Sequence, residues 1–196
     1  MRDTRLPPVF WVIILTCCLF EAVAMLWPDL ADQALLWGGF WPQLFHGVRG
    51  VYPGQIAGMF VTYGFLHAGW LHLGMNMLSL AVLIRAMRPG FSTGQLLLIY
   101  ALSQIAAAGL FAVMLPDGGP MIGASGAVFG LAGALFGFAF TRARRLHLPM
   151  DQIARSAALL VLINLGLTLV LPGIAWQAHL GGALAGLALG ALMARG

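Results

Sequence analysis

Four residues are of types that do chemistry and stand within or beside apolar runs. His72 and Asn76 are four apart, Ser125 lies in Gly123-Ala124-Ser125-Gly126, and His179 precedes Leu180-Gly181-Gly182. A Ser hydroxyl is a weak nucleophile until a base takes its proton. His is the usual base, because its pKa lies near the working pH. Either His179 or His72 could fill that role. A carbonyl under attack develops negative charge, which needs donors already in position. His72 and Asn76 project from one helix face and could donate together. The backbone N–H of Ser125, at a helix start, is a further donor. Together these groups could perform acyl transfer. Singly, each also has an ordinary structural use: Ser as a helix cap, His as a hydrogen-bonded interfacial group, Asn as a link between helices.

The elements that must position these residues are membrane spans. Of the 196 residues, 61% are hydrophobic and 8% charged. Soluble domains are about half apolar and a quarter charged, so an ordinary soluble or disordered chain is excluded. A helical span takes ~20 apolar residues, which leaves room for about six spans and no sizeable soluble domain. The expected spans are Pro8–Trp27, Trp70–Ala86, Gly94–Leu115, Ser125–Phe140, Ile153–Leu171 and Ile174–Met193. The fold class is therefore an all-α polytopic membrane protein of six transmembrane helices. Residues 1–7 are a short tail, 8–196 one domain, and 28–69 a long outer loop, whose Gly and Pro residues argue against a seventh continuous helix. Arg2, Arg5 and the apolar run after them resemble a signal peptide. The length of that run and Glu21 before Ala22-Val23-Ala24 argue against cleavage.

All ten basic residues are Arg, and the formal net charge is +4. They form small groups between apolar runs rather than a stripe, so they read as orientation signals and nucleic-acid binding is not expected. With both termini cytoplasmic, nine of the ten fall on the cytoplasmic side and only Arg49 outside. The second, fourth and sixth spans then all run inward. Their N-terminal ends carry His72 with Asn76, Ser125 and His179, at similar depth near the outer face. Asp29, Asp32 and Asp117 fall in outer loops, Glu21 and Asn164 within spans. Cys17 and Cys18 are adjacent in an apolar run and imply neither metal nor disulfide. The chain has no HExxH motif and no intramembrane Asp pair, which disfavours metallo- and aspartyl-type membrane proteases, and no metal or other cofactor is expected.

Small residues supply closeness. Gly182, Gly186 and Gly190 recur every four residues in the sixth span; Gly126, Gly130, Gly133 and Gly137 line the fourth. Such spacing lets helices approach closely in lipid. Whether it also brings Ser125 to His179 stays open on spacing alone.

These motifs resemble those of the rhomboid intramembrane serine proteases. Gly123-Ala124-Ser125-Gly126 resembles the family's GxSG motif. His67-Ala68-Gly69-Trp70-Leu71-His72-Leu73-Gly74-Met75-Asn76 resembles its second-helix signature. Ala178-His179-Leu180-Gly181-Gly182-Ala183-Leu184-Ala185-Gly186 resembles AHxxGxxxG of its sixth helix. The resemblance implies a Ser125–His179 dyad, with His72, Asn76 and the Ser125 N–H as oxyanion hole. It implies supporting roles for Gly123, Gly126, Gly182 and Gly186, and for Phe129 as an aromatic ring against His179. It implies single-span transmembrane protein substrates, cut near the outer face within a lipid bilayer, and a multi-pass location in a bacterial inner membrane. The fifth span and the loop Leu171–Trp176 would be gate and cap. One departure stands out: where the family often carries a Trp-Arg pair in the first loop, this chain reads Gly58-Met59-Phe60. A non-catalytic relative that escorts membrane clients, or a small transporter, are the competing readings. Both catalytic types are retained, against the first; the polar groups gather at one face, against the second.

Overall fold

The structure, a computed structural model, describes residues 5–170 and 173–195. Arg2, the Leu171 end of the fifth span and part of the Leu171–Trp176 loop lie outside the described residues, as does the Asn164 side chain. The described residues are helical throughout, apart from connections and one isolated antiparallel bridge. The helices are α1 (Pro8–Leu26), α2 (Pro28–Gly38), α3 (Gln55–Thr62), α4 (Trp70–Met87), α5 (Thr93–Met114), α6 (Ser125–Arg145), α7 (Asp151–Val170) and α8 (Trp176–Met193). Short 3-10 turns occupy Pro42–His46 and Tyr63–Phe65.

Four helices, α1, α4, α5 and α6, are long and apolar enough to cross a membrane. The fifth and sixth expected spans coincide with α7 and α8. The helix α8 opens with Gln177 and His179, which dilute its hydropathy where the polar groups gather. The fourth span, read as ending at Phe140, continues as helix to Arg145. Its arginines end the apolar run but not the helix: Arg is a good helix former, and Arg142, Arg144 and Arg145 suit the negative C-terminal end.

Segment 28–69 differs from a plain loop. Prolines at the first position of α2 and of the 42–46 turn start helices there. Gly47 and Gly54, both left-handed, stop or restart them. The apolar residues between these breaks fold as short helices because a backbone near lipid must satisfy its own polar groups.

Two apolar cores hold the bundle. One gathers Phe10, Leu80, Ile84, Leu96, Ile99 and Leu131 from α1, α4, α5 and α6. The other joins Phe40, Met59 and Tyr63 of segment 28–69 to Ala107, Phe111 and Ala178 of α5 and α8. The helix α8 packs closely on both α5 and α6. A capping box starts α5: the Ser92 side chain accepts from Gln95 N–H, and Ser92 N–H donates to Gln95 Oε1.

Candidate active site

Ser125 is the first residue of α6, and no side chain caps that helix. Its hydroxyl is therefore not consumed in capping, and the first N–H groups of α6 open toward the site. Across from it, His179 sits in the first turns of α8 and is 7% exposed. The two side chains meet: His179 Nε2 lies 2.9 Å from Ser125 Oγ, within hydrogen-bond range. Phe129, one turn beyond Ser125, stacks on the His179 ring, with centroids 4.3 Å apart and planes 11° from parallel. The helix spacing puts nucleophile and ring platform on one face of α6.

Backbone contact makes this meeting possible. A Cβ on Gly182 would run into the Gly126 carbonyl, one on Gly186 into that of Gly130, and one on Gly190 into that of Ala134. On α6, a Cβ at Gly126 would strike the Ala107 methyl. Gly126, Gly182 and Gly186 are thus each required for the observed approach of α6 to its neighbours.

The second histidine is set for a different task. His72 Nδ1 accepts a hydrogen bond from the Ala68 N–H at 3.3 Å. In a neutral ring the proton must then sit on Nε2, which becomes a donor. That nitrogen lies over Gly123: a Cβ there would be 2.9 Å from His72 Nε2, 2.8 Å from Cε1 and 3.9 Å from Ser125 Oγ. Gly123 also adopts φ +119°, which side-chain-bearing residues rarely adopt. The geometry thus separates the two histidines that residue type alone left interchangeable. His179 faces the hydroxyl, and His72 offers an N–H beside it.

Asn76 is buried, but its Nδ2 donates to the His72 carbonyl at 3.0 Å, one turn back on its own helix. One of its two N–H bonds is therefore committed within α4. His67, just before α4, packs its ring edge-on to His72 at 5.1 Å. Burial, and secondarily the neighbouring His72, push the His67 pKa down to about 4, so this ring is neutral at ordinary pH.

Three backbone hydrogen bonds clamp the segment before Ser125, and nothing in the residue pattern announces them. Phe40 and Met121 exchange both N–H···O bonds at 2.9 Å, and Gly123 N–H donates to the Tyr63 carbonyl at 2.9 Å. Tyr63 is itself anchored, its hydroxyl donating to the Gln104 carbonyl at 2.7 Å. Around this clamp Phe40 makes ring contacts with Phe60 at 5.1 Å, Tyr63 at 5.7 Å and Phe111 at 6.4 Å. In a chain without the Trp-Arg pair, this aromatic cluster holds segment 28–69. The only sequence signal for it was the aromatic content of that segment.

The other polar candidates stay apart from the dyad. Asp29 and Asp32 are exposed on α2, and Asp117 is exposed in the α5–α6 connection. Glu21 is buried on α1. Among the described residues, no group of three or more His, Cys, Asp or Glu is placed to share a metal ion.

No curated protein matches the chain. The Rhomboid domain matches residues 54–196, which include α3 to α8 and with them His67, His72, Asn76, Gly123, Ser125, Phe129 and His179. The chain therefore belongs to the rhomboid family, a family of intramembrane proteases, and is an integral membrane protein.

Proposed function

We propose that this protein is an intramembrane serine endopeptidase that cuts single-span membrane proteins near the outer face, through a Ser125–His179 dyad. The observation that carries the reading is the 2.9 Å contact between His179 Nε2 and Ser125 Oγ. Ser125 Oγ attacks the scissile carbonyl while its proton passes to His179 Nε2. The carbonyl oxygen becomes an oxyanion, held by the N–H groups of His72 Nε2 and Ser125 and by the uncommitted N–H of Asn76. Collapse of the tetrahedral intermediate breaks the C–N bond, and His179 returns the proton to the leaving amine. Water then attacks the acyl-enzyme, with His179 again as base, and restores the Ser125 hydroxyl. Phe129 keeps the imidazole in register through both steps.

The remaining topology follows from the same reading. Six spans with both termini cytoplasmic put nine of ten arginines inside and the dyad near the outer face, in a bacterial inner membrane. The test is cleavage of a reporter single-span substrate in proteoliposomes. Ser125→Ala and His179→Ala are expected to abolish cleavage without loss of fold, and a fluorophosphonate probe should label Ser125 in the parent. Cleavage retained by Ser125→Ala would refute the dyad.

A further inference from the structure

The end of the bundle opposite the dyad holds a cavity that proteolysis does not use. Its volume is about 470 Å³, and it lies between the C-terminal half of α6, the connection to α7 and the first turns of α7. Leu135, Ala139 and Arg142 line it from α6 at i, i+4 and i+7, so they share one face. Gln152 and Ser156 line it from α7, also four apart, and Pro149 closes the side toward the connection. The walls are apolar, and the rim carries one guanidinium, one amide and one hydroxyl.

Depth and charge narrow what could occupy it. Arg142 stands about 26 Å along α6 from Ser125 at 1.5 Å per residue. That is close to the thickness of a bilayer's hydrocarbon core, so the cavity opens at the membrane interface remote from the dyad. Two neighbouring arginines are engaged. Arg145 donates to the Ala194 and Arg195 carbonyls at 3.0 and 3.2 Å, and the Arg144 guanidinium lies 6.0 Å from the centre of the Phe140 ring. The Arg142 guanidinium makes no hydrogen bond or ion pair among the described residues, and no carboxylate among them lines the cavity. Asp151 begins α7 without lining it. The first N–H groups of α7 add the positive end of a helix dipole at the same rim. An anion suits the rim, an alkyl chain suits the walls, and the interface supplies molecules that carry both.

We propose that this cavity binds an anionic phospholipid. The phosphate sits against the Arg142 guanidinium, with the Ser156 hydroxyl and Gln152 amide as headgroup partners, and an acyl chain follows Leu135 and Ala139. The bound lipid ties α7 to α6, where the two helices are only thinly packed on each other.

Full-length protein, delipidated in a neutral detergent, is titrated with phosphatidylglycerol or phosphatidylcholine, and bound lipid is counted by native mass spectrometry. The first phosphatidylglycerol is expected to bind roughly fivefold more tightly than phosphatidylcholine, the preference that one interfacial arginine confers. Arg142→Gln should remove that preference and Arg142→Lys should keep most of it. Ala139→Phe, which fills the cavity and leaves the charge, should weaken both lipids. Millimolar inorganic phosphate should not displace the lipid. Wild-type phosphatidylglycerol binding by Arg142→Gln, or displacement by phosphate, overturns the proposal. Should Arg142→Gln fail to fold, undiminished phosphatidylglycerol binding by Ala139→Phe overturns it instead.

Discussion

Gly182 stands on α8 where a methyl group has no room. A Cβ there would lie 2.8 Å from the Gly126 carbonyl carbon and 3.3 Å from its Cα. Carbon pairs rest at about 3.5–4.0 Å, so Gly182→Ala must part α6 and α8 by about 1 Å at that level. Gly126 adjoins Ser125, and Gly182 follows His179 by three residues, so the displacement falls on the dyad. The 2.9 Å contact would lengthen to about 3.9 Å, beyond hydrogen-bond range. A misplacement of about 1 Å costs about 100-fold in rate, and the overpacking itself costs about 1–3 kcal/mol of stability. Gly190→Ala is the control. Its Cβ would lie 2.7 Å from the Ala134 carbonyl carbon, between the same two helices, but about 12 Å further along α8. Both variants should show comparable drops in Tm in detergent. For cleavage of a single-span substrate in proteoliposomes, Gly182→Ala should lose about 100-fold in kcat/KM and Gly190→Ala no more than about tenfold. Equal losses in kcat/KM at equal losses of stability would refute the reasoning and leave the glycines with a packing role alone.

Gly123→Ala should act on the oxyanion rather than on substrate binding. Its φ of +119° and the His72 ring 2.8 Å from any Cβ force that donor away. A loss of about 10²–10³ in kcat is expected with little change in KM, the usual consequence of removing one oxyanion donor. Asn76→Ala should cost less, about tenfold in kcat, because one of its N–H bonds already serves the His72 carbonyl; steady-state kinetics check both variants. His67 predicts a pH dependence of stability. Its folded pKa of about 4 lies below the ordinary 6.5, so the unfolded chain binds the proton more readily. The stability it contributes is full above pH 6.5, falls as pH drops toward 4, and changes no further below that, a loss of about 3 kcal/mol. Tm measured at pH 7 and pH 4.5 should fall less in His67→Gln than in the parent; an equal fall would show that other groups carry the acid sensitivity.

That Ser125 and His179 come within hydrogen-bond range was foreshadowed by one line of sequence reasoning. Arginine placement gives an expected direction for each span, and with that direction the starts of the second, fourth and sixth expected spans, which carry His72, Ser125 and His179, fall at one level. Helix ends within apolar stretches were equally readable: the residues that start α4 and α6 are the expected ones. The end of α6 was misjudged because hydropathy marks where a span leaves lipid, whereas helix hydrogen bonding continues through Arg142 to Arg145. The division of labour between His72 and His179 was invisible in spacing. Their different settings show only in the contacts: His179 meets the Ser125 hydroxyl, and a hydrogen bond from the Ala68 N–H leaves the proton of a neutral His72 ring on Nε2. The partial commitment of Asn76 was hidden for a similar reason, since a side chain four residues along a helix can serve either its own backbone or a substrate.

Segment 28–69 was the least legible part, and its contacts change how the site should be understood. Residues 28–69 lack a single period, because Pro and Gly cut them into helices too short to show one. Their order comes from tertiary contact. Phe40 is completely buried among Phe60, Tyr63 and Phe111, and its backbone pairs with Met121. Met121 is two residues before Gly123, and Gly123 in turn hangs from the Tyr63 carbonyl. Both ends of this clamp therefore belong to segment 28–69, while the residues they grip lead directly into Ser125. Only Ile122 separates Met121 from Gly123, so the backbone paired with Phe40 continues almost directly into the residue beneath His72. Segment 28–69 and the loop before Ser125 are thus joined through paired backbone, and the same loop sets Gly123 against the His72 ring of α4.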